Sequence, residues 1–110
     1  MAEPEARLPT HIEVGALLRR VQQEGGFATV IARGEADAGT LMVVLADRNA
    51  PPRAFERMPQ MDGTRAWTLS RAADPAEPHA FSEWLERRHG QDKDLWIIEL
   101  DIPQGERFIP

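Results

Sequence analysis

The densest apolar run in the chain is Leu95-Trp96-Ile97-Ile98, continued by Leu100 and Ile102 and punctuated by the acids Asp94, Glu99 and Asp101. It is long enough for a strand and too short for a typical helix. On a pleated strand Trp96, Ile98, Leu100 and Ile102 share one face, and Leu95, Ile97, Glu99 and Asp101 share the other, so both faces begin apolar and one stays so. Far upstream the period is different: Val14, Leu17, Leu18 and Val21 follow the i, i+3, i+4, i+7 rule and predict an amphipathic helix starting at His11. Thr10 and Glu13 have the spacing of a capping box at its start, and Gly25-Gly26 supplies the left-handed residue that ends it.

Residues 26–33 and 40–46 predict two strands joined as a hairpin through 34–39, a loop with glycine at each end. Neither strand has a polar face, the pattern of central strands covered on both sides. Asp47 to Pro52 reads as a connection, because its two prolines cannot donate to a ladder. Residues 53–61 and 64–71 then flank Asp62-Gly63, whose residue types suit a two-residue type I′ hairpin. A second helix opens around Asp74-Pro75-Ala76-Glu77-Pro78 with Glu77 as cap, buries Phe81, Trp84 and Leu85, carries the stripe on to Arg88 and ends at Gly90. Gly105 and Phe108-Ile109 predict a last short extended piece. The expected architecture is α+β: a mainly antiparallel sheet of about five strands, in the order 5-1-2-3-4, with two packed helices, α-β-β-β-β-α-β. Residues 1–9 form a frayed N-terminal tail in this reading, and residues 10–110 a single domain.

Composition narrows the chemistry. At 110 residues, 42% hydrophobic and 28% charged, the chain can build one core and has the balance of a folded domain. A net charge of −5 offers no electrostatic footprint for nucleic acid or an anionic membrane. The absence of cysteine excludes disulfides, thiolate nucleophiles and cysteine-bound metal centres. Met1 to Pro9 lacks the apolar segment of a secretory signal, and no run reaches membrane-spanning length, so the expected setting is the cytoplasm of a bacterial-type cell.

Three ordered blocks carry a family likeness: Ala16-Leu17-Leu18-Arg19-Arg20 with Gly26-Phe27 soon after, Arg33-Gly34-Glu35 followed by Ala38-Gly39, and Asp94-Leu95-Trp96-Ile97-Ile98-Glu99. Together they resemble a family of short, mainly alphaproteobacterial proteins, the domain of unknown function 1491, over roughly Leu8 to Phe108. Glu13 stands where that family often has an aromatic residue. The resemblance implies a cytoplasmic single domain and brings no activity, cofactor or site with it.

No motif converges on a reaction. The glycines at 34 and 39 have a phosphate-loop spacing, but Thr40-Leu41 replaces the Lys-Ser/Thr pair and a strand replaces the helix that phosphate binding needs. His89, Asp92 and Asp94 share one loop with too few hard donors for a divalent ion, so a solvated loop is the reading there. Ser70 and Ser82 lie outside any nucleophile-elbow context, and His11 and His79 have no partner that suggests general base chemistry. Arg19-Arg20 and Arg87-Arg88-His89 would form an anion-binding patch only if the two helices lay side by side, and the glutamates on both helices favour salt-bridged, solvated faces instead. Trp67, Trp84 and Trp96 read as core, and as a base-stacking platform only if two of them surface beside arginines.

The functional expectation is a small protein-interaction or regulatory module without catalysis, cofactor or metal, acting on an unidentified protein partner. The competing reading is a small-molecule, anion-binding protein or weak enzyme. Across both readings the candidate binding residues are Arg19, Arg20, Arg88, Asp94 and Glu99. Three structural expectations accompany them. Arg88 pairs with Glu99 or Asp94, since each charge would otherwise be half buried alone. Trp96 anchors the core beneath Phe81 and Leu85. The strand from Asp94 to Asp101 forms a long apolar edge that pairs two copies into a twofold homodimer.

Overall fold

Central to the fold is a strand that arrives last in the chain. The computed structural model describes residues 8–48 and 50–109, and within them the elements run α1 (Thr10–Gln23), β1 (Phe27–Ala32), β2 (Leu41–Asp47), β3 (Ala50–Pro59), β4 (Arg65–Ala72), α2 (Ala80–Gln91) and β5 (Trp96–Asp101), closed by a 3-10 turn at Gly105–Phe108. The class is α+β, with five strands and two helices as expected. The strand order is β1-β5-β2-β3-β4. β5 does pair antiparallel with β1, joining Thr29 to Glu99 and Ala28 to Leu100, but its other side pairs in parallel with β2, joining Val43 to Ile98 and Leu45 to Leu100. The sheet is therefore mixed. The first two strands are not a hairpin, and β5 is interior where an edge was expected.

The reason lies in the loop from Arg33 to Thr40, which spans the width of one strand and crosses the start of β5. Glu35 N–H donates to Asp94 O (3.1 Å), Trp96 N–H to Thr40 O (2.8 Å), and the Trp96 indole N–H to Glu35 O (2.7 Å). A Cβ at Gly34 would lie 2.1 Å from Asp94 O, and one at Gly39 2.3 Å from the same atom. These glycines are needed for close approach, not for a hairpin turn. Thr10 helps tie the loop down: its hydroxyl donates to Gly39 O (2.7 Å), so it does not cap α1 through Glu13, whose N–H donates to Pro9 O.

Alternation along β5 sorts the core into two layers. Trp96, Ile98 and Leu100 meet Val14, Leu17 and Val21 of α1, Leu41, Val43 and Leu45 of β2, and Phe108 and Ile109. Leu95 and Ile97 meet Phe81 and Leu85 of α2 together with Met42, Val44 and Ala54. The face assignment of β5 holds, and the helices lie on opposite faces. Trp96 is 2% exposed, yet it belongs to the α1 layer and not beneath Phe81 and Leu85. Each large side chain buried in this way contributes about 1.5–3 kcal/mol. The segment after β5 turns at Gln104, whose φ of 56° is left-handed, and forms a 3-10 helix over β2 where an extended piece was expected.

Local chemistry departs from the sequence expectation at several ends. Gly25, at φ 86°, follows α1 and its N–H donates to Gln22 O, as a glycine stop requires. The β3–β4 hairpin forms, but only Gly63 has positive φ, and Gln60 N–H donates to Thr64 O across a three-residue loop in place of a type I′ turn. Pro51 and Pro52 begin β3, where strand prolines are tolerated. Glu77 and Pro78 lie in turns ahead of α2, and Gly90 lies inside that helix. The tail expectation for residues 1–7 falls outside the described residues.

Two glycines with opposite surroundings give a stability test. Gly34→Ala forces a side chain into the Asp94 carbonyl and should cost at least about 1–3 kcal/mol. Gly90→Ala, exposed, helical and with nothing within 4 Å of the added Cβ, should instead gain about 0.5–1 kcal/mol. Chemical denaturation of the two variants reads both signs.

Candidate functional site

The neighbours Glu56 and Arg57 on β3 point to opposite faces of the sheet, and each clamps a helix. The Arg57 guanidinium makes a two-pronged pair with Glu13 of α1, Nη1 to Oε2 at 2.6 Å and Nη2 to Oε1 at 2.7 Å, and lies 5.0 Å from the ring centre of Trp67. On the other face Arg88 of α2 makes the matching pair with Glu56 at 2.8 and 2.6 Å, and lies 5.5 Å from the ring of Trp84. The Ser70 hydroxyl also donates to Glu56, and Arg71 covers Trp84 as well. Arg88 is thus paired, but with Glu56 and not with Glu99 or Asp94. The sequence carried no spacing that could have shown this, since the two residues meet only through the fold.

The five candidate residues are dispersed. Arg19 is exposed on α1, and Arg20, also exposed, stacks on Phe108 with its guanidinium carbon 5.3 Å from the ring centre. Arg88 and Glu99 belong to the opposite face, so the arginine pairs of the two helices do not form one patch. Asp94 is exposed in the loop before β5, where its C=O accepts from Glu35 N–H of the crossing loop and its own N–H donates to Asp92 Oδ1. Glu99 is half-buried between Thr29 of β1 and Val44 of β2, and its carboxylate accepts no hydrogen bond from any described residue.

Other candidate chemistry is taken up internally. In the glycine loop, Glu35 Oε2 accepts from the N–H groups of Asp37 (3.0 Å) and Ala38 (2.5 Å), so the chain's own carboxylate occupies the amides that a phosphate would use. His89 Nδ1 lies 3.1 Å from Leu95 O. Among the described residues no three His, Asp or Glu side chains gather as a metal would need. Trp67 and Trp84 lie on opposite faces, each already covered by arginine, which is not a stacking platform.

One concavity has room for a ligand. α1 packs over β1 and β5, and the 3-10 turn lies over β2, which leaves the α1 side of β3 and β4 only partly covered. There Leu8, Glu13, Ala16, Leu17, Arg20, Trp67 and Phe108 line a half-open cleft of about 270 Å³. Glu13, Ala16, Leu17 and Arg20 form its helical wall at i, i+3, i+4, i+7, a stripe beside the one that is buried. Sequence periodicity marked only the buried stripe. Glu13 is spent on Arg57, whereas Arg20 forms no ion pair with any described residue. This volume lies close to the lower end of the roughly 300–1,000 Å³ of small-molecule sites, and it also has room for side chains of a partner.

Fold and site together define a small α+β domain, a five-stranded mixed sheet between two helices, with a mostly apolar cleft and no convergent catalytic group among the described residues. The family model for the protein of unknown function DUF1491 matches residues 8–110, and the chain belongs to that family. It is similar to a DUF1491 family protein from Caulobacter crescentus, whose crystal structure is 36% identical with a TM-score of 0.80 over 93% of this chain and 94% of that one. An NMR structure of a DUF1491 family protein from the same organism is 33% identical, with a TM-score of 0.77 over 93% and 92% of the two chains. The solution structure of protein Atu0922 from A. tumefaciens is 28% identical, with a TM-score of 0.73 over 94% and 92%. No curated protein matches the sequence.

Two glutamates titrate with opposite consequences. The hydrogen bonds from Arg88, aided by Ser70, hold the Glu56 carboxyl below the usual carboxylate range, whereas burial, aided by Asp101, pushes the Glu99 carboxyl up. Glu56 therefore contributes stability above its unfolded value, lost as pH falls through its folded one. Glu99 has the reverse effect, lowering stability as pH rises from its unfolded value through its folded one. Glu56→Gln should cost about 1–2 kcal/mol at neutral pH, and Glu99→Gln should stabilise. Both differences should fade in acid, read by denaturation between pH 3 and 7.

Proposed function

We propose that the chain is a small protein-interaction module that holds a partner in the cleft between α1 and β4. The observation that supports this is the cleft itself, which is apolar at Leu8, Ala16, Leu17, Trp67 and Phe108, with its Glu13 already tied to Arg57. The competing anion-binding reading needs Arg20, Arg88, Asp94 and Glu99 around one pocket, and only Arg20 lines this one. In this reading the module works in the cytoplasm, as the composition suggested, and its net charge of −5 disfavours nucleic acid and anionic membranes as partners. Among the described residues no helix is long and apolar enough to cross a membrane. Affinity capture from cells tests the proposal. Ala16→Trp, which fills the cleft, should lose a partner that wild type and Glu86→Ala, altered on exposed α2 surface, both retain. Equal recovery by all three would overturn it.

A twofold homodimer is also proposed, now through β1. With β5 interior, β1 is an open edge without proline or lysine, and its Phe27 is 71% exposed. Exposed apolar edges of this kind recruit a second strand, and a strand paired antiparallel with its own copy closes a twofold contact. Sedimentation equilibrium should give the mass of two chains at micromolar concentration and of one chain for Phe27→Glu. A single-chain mass for the parent at every concentration would end the dimer proposal.

A further inference from the structure

Resting on the reading of the cleft as a docking site, we infer that its occupant is an extended segment of another protein that adds to the open edge of β4 and carries an apolar residue two positions from an acidic one. β4 ends the sheet, and from Arg65 to Leu69 its pairing with β3 is regular, Pro59 to Arg65 through Phe55 to Leu69. In such a stretch every second residue turns its N–H and C=O away from β3, so an added strand finds a ready ladder. Trp67 and Leu69 face the α1 side, because their partners Arg57 and Phe55 reach α1 and the α1 layer of the core. Leu69 is 50% exposed.

Side chains of an added strand alternate between faces, so residues two apart fall together on the α1 side beside Trp67 and the cleft. One of them meets apolar lining from Ala16, Leu17 and Phe108. The other meets the rim, where charge decides its type. Glu13 is neutralised by Arg57, so Arg20 supplies the uncompensated charge, and an acidic side chain complements it. A docked helix would bury the apolar lining too, but would not extend the ladder of β4.

The test uses the full chain and a random short-peptide display library. The enriched peptides should share an apolar residue and an acidic one at i and i+2. For a synthetic peptide of that consensus, Arg20→Glu should weaken binding about fivefold, and lysine in place of the peptide's acid should restore it. Alanine at the apolar position should cost about thirtyfold, and amide exchange should slow along Arg65 to Leu69. Enrichment of basic or helically spaced peptides, no enrichment, binding indifferent to Arg20→Glu, or protection of β1 in place of β4 would each overturn the inference. A cellular partner that is lost with Ala16→Trp and kept with Arg20→Glu would overturn this chemistry alone and leave the docking reading standing.

Discussion

The structure depends on seating β5 between two strands that precede it by about half the chain. Until Trp96 to Asp101 arrives, β1 and β2 have no hydrogen-bonding partner in common and stand one strand apart. What keeps the gap open is the loop from Arg33 to Thr40, whose two close approaches to Asp94 tolerate only glycine. Once seated, Ile97 and Ile98 are 1% and 0% exposed, one in each core layer, so a single strand joins the α1 and α2 sides into one cooperative unit. Pairings of such sequence separation carry their loop-closure cost before any reward, which slows the folding of a sheet built on them.

The clamps on β3 solve a second problem. Both helices are short, and neither covers its face of the sheet completely. Each is fastened near the β3–β4 side by a two-pronged arginine–glutamate pair, and the pairs come from adjacent residues because consecutive strand positions point oppositely. Arg57 and Arg88 also lie on Trp67 and Trp84, so these half-buried rings are closed by guanidinium planes where aliphatic packing runs out. The Glu13 and Arg57 side chains are each 26% exposed, and the pair remains accessible enough to border a binding surface while still fixing its wall.

What was legible in the sequence was local. The α1 stripe, the two faces of β5, the β3–β4 hairpin and the Gly25 stop all follow from periodicity or from one residue's backbone preference. Order in the sheet does not, because the apolar patterns of β1 and β2 suit hairpin partners and flanks of a third strand equally. β1 also shows why an apolar pattern is not burial: it reads as central, yet alternate residues from Phe27 to Ile31 are exposed at the sheet edge. Arg88 and Glu56 illustrate the same limit for charges. Their sequence positions predicted that Arg88 needs an acid, and only the packing of α2 over β3 selects which one. The cleft was hidden for a related reason, as its helical wall mixes Glu13 and Arg20 with Ala16 and Leu17 and so has no uniform hydropathy.

The two edges of the sheet are not equivalent, and the difference bears on how the domain meets other molecules. β1 is bulged between Val30 and Ala32, which interrupts its regular ladder near one end, and it has α1 packed over it. β4 is also irregular, opposite Ala54 and Phe55, but that lies toward its last residues and leaves Arg65 to Leu69 regular. Of the two edges, β4 supplies Trp67 to the cleft, because the helix that covers β1 and β5 and the 3-10 turn that covers β2 both stop short of it. A sheet with five strands and one covering helix on this face is wider than the helix. The uncovered width falls toward β3 and β4, and there Trp67, Phe108 and Arg20 set two rings and a cation without an ion pair around the cleft.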